Sequence, residues 1–211
     1  MKKSILVLFL TFCQFSFSQE YRFDSYYFYN SKDGDRFFMI NSNDDSFFLW
    51  GYGTSDLMYG NIIDFKKKEI HHLSVTNSDT DLEFKYEYSL KGISGPKEKS
   101  NIIFDSSNVD KDSLQTSYIY KKFKVSSRGK RKYLGEIEVQ YDNSDFVFHA
   151  ITLKIFSHHF FNVNEIKNLG NKLPIKFNIN NNDGKVINFN LTKKQKINAL
   201  LTISNEQINF K

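Results

Sequence analysis

Seven cations fall within the twelve residues from Lys121 to Lys132, with no acid among them: Lys121, Lys122, Lys124, Arg128, Lys130, Arg131 and Lys132. Placed on a hairpin, Lys122 and Lys124 would share a face with Tyr118 and Tyr120, and the turn would add Arg128, Lys130, Arg131 and Lys132. Cations interleaved with aromatic rings can hold phosphate or carboxylate groups while the rings stack on sugars. The same lysines also suit a solvated hairpin tip, since charge on an edge strand blocks unwanted pairing.

A second chemistry needs two carboxylates. Glu136 and Glu138 stand beside Gln140, about 7 Å apart along one strand face, a separation that glycoside hydrolysis can use. Their strand alternates with Gly135, Ile137, Val139 and Tyr141, which points the glutamates to solvent.

Metal chemistry is poorly supplied. His71-His72 and His158-His159 are adjacent pairs, and neighbours on a strand point to opposite faces, so neither pair chelates one ion from regular backbone. His149 lies on an apolar face and reads as a core histidine. Asn108-Val109-Asp110-Lys111-Asp112 starts like a calcium loop, but Ser113 and Ile119 stand where that loop needs Gly and an acid. Gly92-Ile93-Ser94-Gly95-Pro96 lacks the last Gly of a nucleophile elbow, and Gly51-Tyr52-Gly53 lacks the third Gly of a phosphate cradle. No metal site, cofactor or catalytic residue is assigned.

The elements that would carry these residues are strands. Aromatic residues make up 17% of the chain, while alanine occurs only at Ala150 and Ala199, a balance that favours sheet over helix. From Tyr21 to Leu90, apolar runs are broken at Asp33-Gly34, Asn43-Asp44-Asp45, Gly53-Thr54-Ser55, Lys66-Lys67-Lys68 and Asn77-Ser78-Asp79, the rhythm of a meander. Leu82, Phe84, Tyr86, Tyr88 and Leu90 alternate with polar residues and predict a strand with all five on one face. Lys91 to Gln115 reads as a long loop. Further strands are predicted at Thr116–Ser126, Lys132–Tyr141, Phe146–Phe156, Leu173–Asn180 and Lys185–Leu191, with a short helix over Asn162–Asn171; Lys196–Ile203 fits a strand or a helix and is read as a strand. Asn182-Asp183-Gly184 is a hairpin turn. The expected fold is all-β, an antiparallel, meander-rich β-sandwich or barrel of about ten strands and one short helix.

The leader sets the compartment. Lys2 and Lys3 precede an apolar run from Ile5 to Phe12, too short to span a bilayer, and Ser16-Phe17-Ser18 supplies small residues for cleavage. Residues 1–18 therefore read as a cleaved secretory signal, and Phe12 before Cys13 argues against a lipoprotein site. Residues 19–211 hold no cysteine, so no disulfide staples the fold. They read as one all-β domain, with halves 19–90 and 116–211 joined by the loop 91–115.

The net charge of +5 falls by the two leader lysines on cleavage, which bears on solubility more than on partner. The expectation is an exported bacterial β-domain, periplasmic or secreted, without a transmembrane helix or nucleic-acid partner. It would act as a non-enzymatic binding or interaction module for an anionic glycan, a lipid head group or an envelope protein. The ligand-binding candidates are Tyr118, Tyr120, Lys122, Lys124, Arg128, Lys130, Arg131 and Lys132. The rival expectations are an enzyme acting on extracellular polysaccharide through Glu136 and Glu138, and a small outer-membrane β-barrel.

Overall fold

The computed structural model describes residues 18–54, 58–77, 82–92, 102–111, 114–146, 172–204 and 208. Among them are eleven strands: β1 (Ser18–Asn30), β2 (Asp35–Asn41), β3 (Asp44–Gly53), β4 (Met58–Asp64), β5 (Glu69–Asn77), β6 (Leu82–Lys91), β7 (Ile102–Lys111), β8 (Gln115–Val125), β9 (Arg131–Phe146), β10 (Lys172–Asn181) and β11 (Val186–Ser204). The protein is all-β, and all eleven strands belong to one antiparallel sheet. The predicted helix, most of the strand Phe146–Phe156, His149, His158-His159 and the leader up to Phe17 lie outside the described residues.

The strand order is β6-β5-β4-β3-β2-β1-β11-β10-β9-β8-β7. Two meanders therefore run outward from a central seam made by the first and last strands, and β6 and β7 form the two edges. Laid flat, eleven strands would span about 48 Å, whereas the eleven chain steps from Lys91 to Ile102 reach about 40 Å at most. The sheet has to curl.

Curling buries both faces of β2 to β4. On one face Phe38, Ile40, Phe48, Trp50 and Ile63 pack with Tyr120, Ile137, Val139, Tyr141, Phe177, Ile179 and Phe189 of β8 to β11. On the other, Phe37, Met39, Phe47, Leu49 and Ile62 pack with Leu73 and Val75 of β5 and with Tyr21, Phe23 and Ile203 of the seam. The long β1 and β11 serve both cores, since Tyr27 and Tyr29 belong to the first and Tyr21 and Phe23 to the second. The changeover coincides with a shift in β1–β11 register between Phe23 and Ser25. Asp24 anchors it by accepting from the Ser42 backbone N–H at 2.9 Å, from the Ser42 hydroxyl and from the Ser25 hydroxyl at 2.8 Å. Burial works to raise the Asp24 carboxyl, and these bonds outweigh it, so the group sits below its usual range.

Two expectations are corrected. The stretch read as a loop over 91–115 contains β7, which pairs with β8 from Ile102↔Lys124 to Lys111↔Thr116. An edge strand can be this polar because only one flank is paired and charge there deters aggregation. In β6 the alternation is interrupted: His72 pairs with Tyr88 and Leu73 with Tyr86, leaving Glu87 as an extra residue. This bulge flips the strand, so Tyr86 faces the second core while Tyr88 faces the opposite side.

Gly51 marks the tightest packing in this region. A Cβ built there would lie 1.9 Å from the Phe37 ring, which is fully buried and cannot swing aside. We predict that Gly51→Ala lowers stability by about 1–3 kcal/mol through overpacking, read as a lower denaturant midpoint at unchanged slope. Adding Phe37→Leu should recover part of the loss. An unmoved midpoint in Gly51→Ala would remove this contact from the core.

Candidate functional site

The register of β2 to β6 lays side chains out in rows that cross the strands. One row is Ile40, Phe48, Ile63, Ile70 and Leu90, wholly apolar. The next on the same face is Phe38, Trp50, Asn61, His72 and Tyr88, and the third is Arg36, Tyr52, Tyr59, Ser74 and Lys85. Along each strand the face thus changes from core to aromatic floor to polar mouth. From the second row Trp50, Asn61, His72 and Tyr88, and from the third Arg36, Tyr52, Tyr59 and Ser74, line a groove of about 810 Å³, which Glu87 completes at β6.

Its walls are rings. Trp50 and Tyr52 stack with centroids 5.1 Å apart, Tyr52 and Tyr59 lie at 5.7 Å, and His72 stacks on Tyr88 at 4.3 Å. Trp50 is 6% exposed and forms floor, whereas Tyr52 and Tyr59 are 38% and 45% exposed and offer open ring surface. Polar groups sit at both ends. At β2, the Arg36 guanidinium lies 5.5 Å from the Tyr52 ring centre and 5.6 Å from that of Phe189. At β6, the bulged Glu87 accepts from the Ser74 hydroxyl at 2.8 Å. A largely apolar trough with a few placed polar groups is the usual form of a small-molecule or oligomer site.

The basic hairpin is built differently from the sequence expectation. Tyr120 is 1% exposed and turned into the first core, where burial pushes its phenol up to about 12. Tyr118 packs against the same core, stacked on Tyr120 and edge-on to Tyr141. Lys122 is half-buried; Lys124, Arg128, Lys130, Arg131 and Lys132 are exposed. A register shift between Lys122 and Phe123 interrupts the alternation. The acid lacking in the local sequence arrives from β7, where Asp105 pairs with Arg131, and Arg131 also covers the Phe123 ring at 4.2 Å. The tyrosines and the cations are thereby directed to different places.

Glu138 lines a shallow depression of about 470 Å³ on the β9–β11 face, and Glu136, two residues before it on β9, is not part of that lining. Asn178 donates to Glu138 at 2.8 Å and Asn180 to Glu136 at 3.4 Å, so each glutamate is partnered across the sheet by an amide.

A titratable network lies on the far face of β4 to β6. His71, fully buried, contacts the Tyr21 hydroxyl through Nε2 at 2.8 Å and the Ser89 hydroxyl through Nδ1 at 2.6 Å. Tyr21 Oη also lies 3.1 Å from Asp64 and 2.6 Å from Gln19 Oε1, and Tyr86 Oη lies 2.9 Å from Ser89. One proton assignment gives a continuous chain: Tyr86 donates to Ser89, Ser89 to Nδ1, Nε2–H to Tyr21, and the Tyr21 hydroxyl to the oxygens of Gln19 and Asp64 between which it lies. With no solvent access at His71, this chain fastens β1 to β4, β5 and β6 and offers no place for a substrate. The expected split of His71 and His72 to opposite faces holds, one in this network and the other in the groove. Among the described residues no group of three or more His, Cys, Asp or Glu side chains is placed to hold a metal ion. No helix among them is long and apolar enough to cross a membrane.

No family model matches the chain, and no curated protein matches it. Among solved structures it is similar to the hypothetical protein CT021 from Chlamydia trachomatis, at 12% identity and a TM-score of 0.38 over 83% of this chain and 88% of that one.

Burial is the main cause that lowers the pKa of His71; Glu69 and Asp64 pull it up, and Lys67 and His72 push it down. Its folded value therefore lies below the unfolded value of about 6.5, and the unfolded chain takes up the proton first as pH falls. We predict that this contribution is fully present above about pH 6.5 and lost progressively below it, seen as a falling melting temperature between pH 6.5 and 5. His71→Gln should flatten that slope. An unchanged slope in the variant would acquit His71.

Proposed function

We propose that this protein is an exported, non-enzymatic module that binds a glycan along the groove of β2 to β6. One observation carries the reading: two adjacent cross-strand rows place Trp50, Tyr52, Tyr59 and Tyr88 along a single trough with polar groups at its ends. Open tyrosine faces favour the C–H faces of pyranose rings, while asparagine, serine and carboxylate groups take hydroxyls. Support for export comes from the Lys2-Lys3, Ile5–Phe12 and Ser16–Ser18 pattern of the leader.

The enzyme alternative draws less support, because its two glutamates are engaged by Asn178 and Asn180 and only Glu138 lines the shallow, open depression there. The membrane-barrel alternative fits poorly with β2 to β4, whose two faces are both covered by protein, whereas a lipid-facing strand keeps one apolar face outward.

Trp50 is the only tryptophan in the chain, so intrinsic fluorescence reports directly from the groove floor. We predict a saturable change in Trp50 emission on titration with soluble oligosaccharides, and a loss of affinity of about tenfold in Tyr59→Ala. Replacing Lys122, Lys124 and Arg131 by Ala should leave that affinity unchanged. If the triple variant weakens binding and Tyr59→Ala does not, the ligand belongs to the β8–β9 hairpin instead.

A further inference from the structure

Arg36 is a half-buried cation at the β2 end of the groove, and among the described residues no carboxylate forms an ion pair with it. The nearby acids, Asp33 and Asp35, act on it only through space, and their oxygens are bonded to other groups. Asp33 pairs with Lys185 at 3.1 Å, and Asp35 accepts from the Asn30 amide at 3.0 Å and the Ser31 N–H at 3.2 Å. The guanidinium is nevertheless held in one orientation. Its Nη1 donates to the carbonyls of Gly34 at 3.1 Å and Asp35 at 2.8 Å, and the Tyr52 and Phe189 rings flank it. Gly34 suits this arrangement, because its φ of 100° lies where side chains are rarely tolerated.

With Nη1 committed, the Nε and Nη2 donors on the opposite edge carry no protein hydrogen bond among the described residues. Two parallel N–H groups on a fixed guanidinium edge match the two oxygens of a carboxylate, which a lysine could not do. The far end of the groove has the opposite character, with the Glu87 carboxylate accepting from Ser74. The trough is therefore polarised, with a cation at β2 and an anion at β6.

Building on the glycan reading, we infer that Arg36 recognises an anionic group and that the groove takes an acidic glycan, a uronate-type carboxylate lying against the free Arg36 edge. Neutral rings then occupy the tyrosine rows, and Glu87 takes hydroxyls at the other end. Specificity for charge resides in one side chain, while affinity for the sugar faces resides in Tyr52 and Tyr59.

The test uses Trp50 fluorescence with oligogalacturonate and oligomannuronate, each compared with its carboxyl-reduced, neutral counterpart of the same length. The acidic forms are expected to bind about ten- to a hundredfold more tightly, the range expected for a charge-assisted pair, and the preference should shrink with added salt. Arg36→Gln should bring acidic and neutral forms to equal affinity without abolishing either. Arg36→Lys should keep only part of the preference, since it retains charge and loses the paired donors. Equal binding of acidic and neutral forms by the unaltered protein, or a preference that survives in Arg36→Gln, overturns the role of Arg36 and leaves the groove reading standing. If neither form perturbs Trp50, the groove reading fails and this inference with it.

Discussion

The pairing of β1 with β11 is the constraint on which the rest depends. It joins Ser18 to Ser204 and continues to Asn30 and Asn190, so the two ends of the described chain meet in the middle of the sheet. Remove this seam and two meanders remain, each with a second exposed flank. Closing so long a loop costs entropy that no local contact returns. The cost is offset by making the seam the most widely shared packing element, since Tyr21, Phe23 and Ile203 complete one core while Tyr27, Tyr29 and Phe189 complete the other. Polar contacts secure both levels: Asp24 holds the changeover to the β2–β3 turn, and Tyr21 locks into the His71 chain.

Strands buried on both faces, as β2 to β4 are, have little surface left for function, and the groove shows how they keep some. Along β2 to β6 the covered face fades from the row of Ile40 and Phe48 through that of Trp50 and His72 to that of Arg36 and Tyr52. The candidate site is the uncovered margin of a core rather than a set of loops placed on a scaffold. Its tyrosines are consequently held by the same packing that stabilises the fold, and little ordering would remain to be paid for when a ligand arrives.

Much of the architecture was legible in the residues. Scarce alanine, abundant aromatics and evenly spaced polar turns announced an all-β meander, and Asp33-Gly34, Lys66–Lys68, Ser127–Gly129 and Asn182–Gly184 all fall between strands. What escaped was non-local or irregular. β7 was hidden by its own edge chemistry, being short of apolar residues because half of its backbone is unpaired. The seam was hidden because nothing local to Tyr21 refers to Leu201, its partner across the ladder. The basic run drew attention because charge is conspicuous in one dimension, yet its tyrosines turn inward and Asp105, from a strand read as loop, answers one of its arginines.

The groove was invisible for a more general reason. Its outer row takes one residue from each of four strands, at positions 36, 52, 59 and 74, and β6 adds residue 87, a spacing without period, because each turn and bulge adds its own offset. Period-two alternation identifies which residues share a face within one strand, but a one-residue slip between strands exchanges the faces. The bulge at Glu87 performs that exchange on purpose within β6, keeping Tyr86 with the His71 chain and delivering Tyr88 to the groove. A regular strand could have served only one of those two places. The irregularity that defeats the sequence pattern is thus the device that lets a single edge strand finish both a buried network and an open site.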